Sequence, residues 1–201
     1  MNILQIFAKA PIIGKVKTRL KNAIDEQAAT DLHKQLVKHC LQKFSRIFTV
    51  QLWCYPDELH PFFTKCKNEF DVSLHQQQGK NLGERMAFAL ATTVPKPTIL
   101  IGSDCPTLTV KTLQNAFIAL QNNQVVLGPA EDGGYVLIGM QQKFPELFTN
   151  IPWGSSQVLE TTRSRLSTLQ LNWYETEIQW DIDRPQDLIR LEKLNGIWND
   201  I

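Results

Sequence analysis

The sequence predicts an α/β protein built on a mostly parallel sheet, and three observations carry that prediction. Short apolar runs alternate with longer stretches of helical periodicity along the whole chain, as in strand–helix–strand units. The run Ile99-Leu100-Ile101 is apolar on every residue and ends abruptly in Gly102-Ser103-Asp104, which suits a strand covered on both faces. With 201 residues, 43% of them hydrophobic, the chain is long enough to bury one sizeable core, so a single domain over 1–201 is expected.

The elements follow in order. Ile3 to Ala8 reads as the first strand, followed by a Pro/Gly loop from Lys9 to Gly14. From Asp25 to about Ile47, apolar residues recur at Ala29, Leu32, Leu36, Cys40, Phe44 and Ile47, a helical spacing with Asp25 as N-cap. Phe48, Val50, Leu52 and Cys54 alternate with Thr49, Gln51 and Trp53, as in a strand. A short helix over Pro61 to Phe70 and a short strand over Val72 to Leu74 come next. Asn81 to Thr92 reads as a helix leading into the strand Thr98 to Ile101. Thr109 caps a helix carrying Leu113, Ala116, Phe117 and Leu120. Strands at Val125 to Leu127 and Tyr135 to Met140 flank a Gly-Gly turn, which suggests some mixed pairing late in the sheet. Ser155 to Leu166 reads as a helix, Leu171 to Ile178 as a strand, and Pro185 opens a last helix through Leu188, Leu191 and Leu194.

Composition narrows the function. Charged residues make up 20% and the net charge is +1, which gives no long-range pull towards nucleic acid or an anionic membrane. No apolar stretch approaches the length of a membrane span, and the start at Met1 lacks the basic region and cleavage site of a signal peptide. The four cysteines, Cys40, Cys54, Cys66 and Cys105, form no CxxC pair and do not cluster with histidines. A zinc site or a disulfide framework is therefore not expected, and a reducing, cytoplasmic setting is. A thiol beside the carboxylate of Asp104 makes a poor nucleophile, so Cys105 is read as structural.

Five segments can carry chemistry. Asp104 sits at the carboxyl end of a buried strand, the end that faces the ligand crevice in open α/β sheets. A carboxylate there can hold a divalent cation on phosphate oxygens; the alternative is a cap for the following helix. The loop Phe7 to Leu20 joins Gly14 to Lys9, Lys15, Lys17 and Arg19, with Lys21 just beyond. Backbone N–H groups and cations there suit phosphate, although neither a P-loop nor a dinucleotide fingerprint is present and a solvated basic loop gives the same pattern. In Gln78-Gly79-Lys80-Asn81-Leu82-Gly83-Glu84-Arg85-Met86, two glycines flank a helix start, allowing either close approach to a base or ribose or an ordinary loop. Glu131-Asp132-Gly133-Gly134-Tyr135 is a strong turn signal that can also set an acid over a ligand. Finally, Asp181 and Asp183 are two apart in Trp180-Asp181-Ile182-Asp183-Arg184-Pro185, so both can face one side and complete a metal site with Asp104. Asp183 as cap and Asp187 in the first turn of the last helix are the competing structural roles. Trp153 and Trp180 are read as core residues ahead of an acceptor pocket.

Taken together, AKAPIIGKVKTRL, QGKNLGERM, IGSDCPTL, LGPAEDGGYVLIG and DIDRPQDL resemble the nucleotide-diphospho-sugar transferase superfamily, and within it a bacterial family described as glycosyltransferase-like. The resemblance spans nearly the whole chain and implies a three-layer, Rossmann-like GT-A fold. It implies that Lys17 and Arg19 hold nucleotide phosphates, with Lys9 and Gly14 in the same loop. Gly79, Leu82 and Gly83 would lie near the base or ribose, and Asp132, Gly133 and Gly134 near the second substrate. Asp104 would be the metal aspartate, partnered by Asp181 or Asp183, with Mg²⁺ or Mn²⁺ as the ion. The expected partners are a nucleotide, either an NDP-sugar or an NTP, and an acceptor the sequence does not identify; no oligomeric state is implied. Glycosyl transfer from an NDP-sugar leads, nucleotidyl transfer from an NTP follows, and a non-catalytic nucleotide-binding module stands third. The last gains if Asp104 and the late aspartates do not converge.

Overall fold

A computed structural model describes residues 2–194. Seven strands form one sheet in the order β3-β2-β1-β4-β6-β5-β7. These are β1 (Ile3–Lys9), β2 (Thr49–Tyr55), β3 (Ser73–Gln76), β4 (Thr98–Gly102), β5 (Val125–Pro129), β6 (Tyr135–Met140) and β7 (Trp173–Glu175). β1 pairs in parallel with both β2 and β4, β2 with β3, and β5 with β7. β6 runs antiparallel to β4 and β5, the mixed pairing expected of the late section. Chain order leaves β1 towards β2 on one side and returns at β4 on the other. The carboxyl ends of β1 and β4, at Lys9 and Gly102, therefore form a topological switch point where ligands dock in open sheets.

Helices cover both faces, giving three layers. One core cluster joins Leu4, Ile6, Leu52, Ile99 and Ile101 to α1 (Glu26–Phe44), α2 (Pro61–Phe70) and α4 (Val110–Ala119). The other joins Trp53, Leu100, Leu127 and Ile138 to α3 (Leu82–Ala91), α5 (Val158–Thr168) and a one-turn 3₁₀ helix at Pro145–Phe148. A third, smaller cluster packs Leu20, Leu36 and Ile182 against Leu188 and Leu191 of α6 (Pro185–Lys193). Gln5, the polar residue in the apolar run of β1, is fully buried and donates its amide to Ala89 O at 2.8 Å, tying the sheet to α3.

Local capping sets most boundaries. The side chains of Asp25, Asn81 and Thr109 accept from Ala28 N, Glu84 N and Thr112 N, satisfying helix-start donors. Four expectations need correction. Trp53 does not alternate outward: it is 2% exposed, stacks on His75 and meets Phe88 edge-on, because β2 is covered on both faces. β3 starts one residue late and runs to Gln76. α5 starts at Val158 rather than Ser155, since residues 155–157 turn over Gly133. β7 is confined to three residues instead of Leu171 to Ile178: its pairing with β5 ends at Leu127, next to the irregularity at Gly128/Pro129 in the pairing of β5 with β6, and resumes only as a bridge from Ala130 to Gln179. Among the described residues no helix is long and apolar enough to cross a membrane.

Candidate functional site

Ile99 and Ile101 are fully buried, and the chain leaves the sheet at Gly102. A Cβ at position 102 would sit 2.8 Å from Asp104 Oδ1, so the glycine lets the carboxylate fold back over the strand end. Asp104 is not a helix cap, since Thr109 holds that role for α4. Its Oδ2 accepts from Lys17 Nζ at 2.8 Å, and its carbonyl accepts from Ile182 N at 3.0 Å. Lys17 lies in the left-handed region (φ 49°) and also donates to Ile182 O. The side chain of Lys17 is 6% exposed and that of Asp104 36% exposed. Burial raises the Asp104 carboxyl, but the charge and hydrogen bond of Lys17 outweigh it and hold the group below the usual carboxylate range.

The late aspartates take separate roles. Asp187 Oδ2 accepts from Asp183 N at 3.0 Å and Arg184 N at 2.7 Å, so Asp187, not Asp183, satisfies the start of α6. Asp183 is left to pair with Arg19 Nη1. Asp181 is pushed up to about 7, first by burial and then by the nearby charges of Asp104 and Asp132. Asp181 thus lies within reach of the charge of Asp104 but is not among the residues that line the cavity, whereas Asp183 lines it and is held by Arg19. Among the described residues no three His, Cys, Asp or Glu side chains form a ready-made metal cage. Two hard carboxylates under mutual repulsion nevertheless suit Mg²⁺ or Mn²⁺, which takes one or two carboxylates and leaves its other positions to water and phosphate oxygens.

Around this centre is a cavity of about 490 Å³ at the ends of β1 and β4. It is lined by the cations Lys9, Lys15, Lys17 and Arg19 of the first loop, by Ser103, Asp104 and Asp183, and by Gln77, Leu82 and Arg85. Lys9 and Lys15 make no ion pair among the described residues. Arg85 lies 4.2 Å over the Tyr55 ring and donates Nε–H to Asn81 O at 3.2 Å, which fixes its planar fork. Gln77 donates its amide to Trp53 O at 2.9 Å. His33 is buried with Nε2 2.9 Å from Lys9 O; burial lowers its pKa, so it braces the loop as a neutral ring. Arg85, Gln77, Ser103 and His33 were not singled out by sequence. Arg85 lies four residues beyond the Asn81 cap, and that spacing to the first turn of α3 was the one available signal.

Several glycines in the motifs serve packing. A Cβ on Gly83 would lie 2.7 Å from the Trp153 ring, so this glycine seats α3 against that ring and does not line the cavity. Gly133 (φ +86°) lies beneath the loop at Ser156, whose carbonyl oxygen would be 2.1 Å from an added Cβ. Gly134 N donates to Asp132 Oδ1 at 2.8 Å, closing the turn; Asp132 remains close enough to raise the pKa of both Arg19 and Asp181. Gly79 is a turn residue pressed on Glu84, and Gly14 opens onto a separate hollow of about 450 Å³ against α1. Lys17 is likewise engaged inside the protein rather than offered as a free phosphate ligand. Burial pushes the Cys105 thiol up to about 11, in keeping with a structural role. Trp153 packs edge-on to Tyr135, and Trp180 lies under Arg190, which grips Glu131 with two hydrogen bonds of 2.7 and 2.9 Å.

Comparisons with known proteins agree with this geometry. No curated protein matches the chain in sequence. A crystal structure from Desulfovibrio desulfuricans, described as a candidate nucleotide-diphospho-sugar transferase, is 30% identical with a TM-score of 0.83, covering 91% of this chain and 82% of its own. A nucleotidyl transferase from Methanothermobacter is 12% identical with a TM-score of 0.65, covering 96% of each chain. Glucosyl-3-phosphoglycerate synthase from Mycobacterium tuberculosis, solved with Mn²⁺ and UDP, is 11% identical with a TM-score of 0.55, covering 94% of this chain and 74% of its own. These last two likenesses show the fold alone. The model of a family described as uncharacterized protein conserved in bacteria (DUF2064) matches residues 36–155, and the chain belongs to that family.

Proposed function

We propose that the protein is a metal-dependent transferase that moves a glycosyl group from an NDP-sugar. The observation that carries this reading is the cavity at the β1/β4 switch point, where a strand-end aspartate faces a wall of cations. The 30% identical relative, described as a candidate transferase of this kind, supports it. The acceptor oxygen would attack the anomeric carbon, the bond from that carbon to the diphosphate oxygen would break, and the diphosphate would leave with the bonding electrons. Charge then grows on the diphosphate, and preorganised cations that meet it lower the barrier. Lys9, Lys15 and Arg19 have the charge and the exposure for that work, while Lys17 holds Asp104 in place. Arg85 and Gln77 stand at the end where the nucleoside would lie. A divalent cation on Asp104 and Asp181 would supply further positive charge to the diphosphate oxygens, as the Mn²⁺ and UDP of the M. tuberculosis enzyme make reasonable.

Nucleotidyl transfer remains as a second reading, favoured by the cations Lys9 and Lys15, which make no ion pair among the described residues, and by the fold shared with a nucleotidyl transferase. There an acceptor oxygen would attack the α-phosphorus and pyrophosphate would leave. Thermal shifts with NTPs and NDP-sugars, with and without Mg²⁺, separate the two, because a ligand that binds the folded state raises the melting temperature by mass action. Mg²⁺-dependent shifts with sugar nucleotides are expected. A response confined to triphosphates would transfer the reading to nucleotidyl transfer, and no response to either class would overturn both.

A further inference from the structure

We infer that Lys17 is a positioning residue and built-in counter-ion that makes divalent-cation binding at Asp104 conditional on the nucleotide. This rests on the proposed metal role of Asp104. The side chain of Lys17 is 6% exposed, and its ammonium lies 2.8 Å from Asp104 Oδ2 and is bonded to the carbonyl of Ile182, the residue between Asp181 and Asp183. Lys17 has a left-handed backbone (φ 49°) and lines the cavity with Lys9 and Lys15, but its ammonium is taken up by Asp104 and the Ile182 carbonyl, whereas Lys9 and Lys15 make no ion pair among the described residues. One positive charge therefore already occupies one oxygen of the carboxylate that would hold the ion, and it also stitches the β4 end to the late acidic segment, alongside the bond from Ile182 N to Asp104 O.

The consequence is electrostatic. A divalent cation arriving alone meets a half-neutralised Asp104 with an ammonium at hydrogen-bond distance, and like charges that close repel strongly in a partly buried site. A cation arriving with a diphosphate brings its own anionic ligands, and these are met by Lys9, Lys15 and Arg19 as well. Cation and nucleotide should then bind as a coupled pair, each raising the affinity of the other by one factor. A purely structural lysine would weaken cation binding when removed; a counter-ion strengthens it.

The test is equilibrium dialysis of Mn²⁺ against the full chain at a pH where the carboxylates are ionised, with and without an equimolar mixture of UDP, CDP, GDP and ADP. For the native sequence, protein-bound Mn²⁺ should tighten at least about tenfold when the diphosphates are added. Lys17→Met should bind Mn²⁺ alone at least about tenfold more tightly than the native chain while losing most of the coupling, and Lys17→Arg should behave like the native chain. Native Mn²⁺ affinity independent of diphosphate overturns the proposal without any variant. Unchanged or weaker Mn²⁺ binding by a cooperatively melting Lys17→Met also overturns it, as does a Lys17→Arg that binds Mn²⁺ as tightly as the methionine variant is expected to. Asp104→Ala separates the two levels: undiminished Mn²⁺–diphosphate binding there removes the Asp104 site itself, whereas its loss together with an unresponsive Lys17→Met removes only the role of Lys17.

Discussion

Two ion pairs join the first loop to the aspartates at the carboxyl end of the sheet, and they come from residues two apart in the chain. Lys17–Asp104 is the inner pair, with the lysine 6% exposed; Arg19–Asp183 is the outer one, with the arginine 60% exposed. The inner pair is bonded on to a backbone carbonyl and its aspartate raises the pKa of Asp181, whereas the outer pair is held to the surface by an exposed arginine; all four side chains line the cavity. Charges of the same kind thus sit differently: the lysine is enclosed by Asp104 and the Ile182 carbonyl, while the arginine keeps most of its surface exposed beside Asp183. A buried pair is costly to break because it strands a charge, while an exposed pair adds little to stability.

The largest expected effect comes from the acid end of the inner pair. Asp104→Ala should lower transferase activity about a hundredfold or more, and should remove the Mg²⁺-dependent part of any nucleotide-induced thermal shift. An activity assay at saturating Mg²⁺ checks the first and a melting curve the second; near-native values in both would show that the inner pair is only structural. Next is its basic end. Lys17→Met leaves Asp104 without its partner, a change that costs about 3 to 5 kcal/mol in a fully buried pair and about 2 kcal/mol here, where the carboxylate keeps some water. Urea titration measures it. Arg19→Ala is the contrasting case, with a stability loss below about 1 kcal/mol but weaker nucleotide binding, the weakening growing from mono- to di- to triphosphate. Equal weakening for all three would place Arg19 away from the phosphates and erase the distinction between the pairs.

The comparison also explains which parts of the site were legible in the sequence. Asp104 could be found because the signal is local: an apolar run ends, a glycine follows, and the acid comes two residues later. The caps Asp25, Asn81 and Thr109 were readable for the same reason. The division between Lys17 and Arg19 was not, because it depends on a partner 87 residues away and on a left-handed backbone that no residue type at Lys17 announces. Gly83 and Gly133 are ambiguous in another way. A glycine that admits a ligand and one that admits a tryptophan ring or a neighbouring carbonyl leave the same mark in the sequence, and here the neighbours are Trp153 and Ser156. Arg85, though inside a quoted motif, and Gln77, just before it, carry no local mark of a site, because α3 and the end of β3 meet the cavity only through the strand order.

The smallest expected effect probes whether Asp181 belongs with the inner pair. Its ordinary value is 3.8, and in the folded protein it is pushed up to about 7 by burial and then by Asp104 and Asp132. The folded state thus holds this proton more tightly than the unfolded chain does. The stability that this gives is fully present below the unfolded value and is lost as pH rises through about 7. Asp104 has the opposite sign, but its window lies below its ordinary 3.8 and does not overlap. His33, His39 and His75, all with lowered values, favour the folded state more as pH rises to about their ordinary 6.5, so the native melting curve alone mixes these effects with that of Asp181. The difference between the native chain and Asp181→Asn isolates the aspartate: the native chain should lose melting temperature relative to the variant between about pH 4 and about pH 7, and the difference should level off above that. Arg19→Ala in the same series should leave that difference nearly unchanged, because Asp183 is the last of the charges that raise Asp181 and both Asp104 and Asp132 precede it. Superimposable pH profiles for the native chain and Asp181→Asn would detach Asp181 from the inner pair and leave Asp104 as a lone acid beside its lysine.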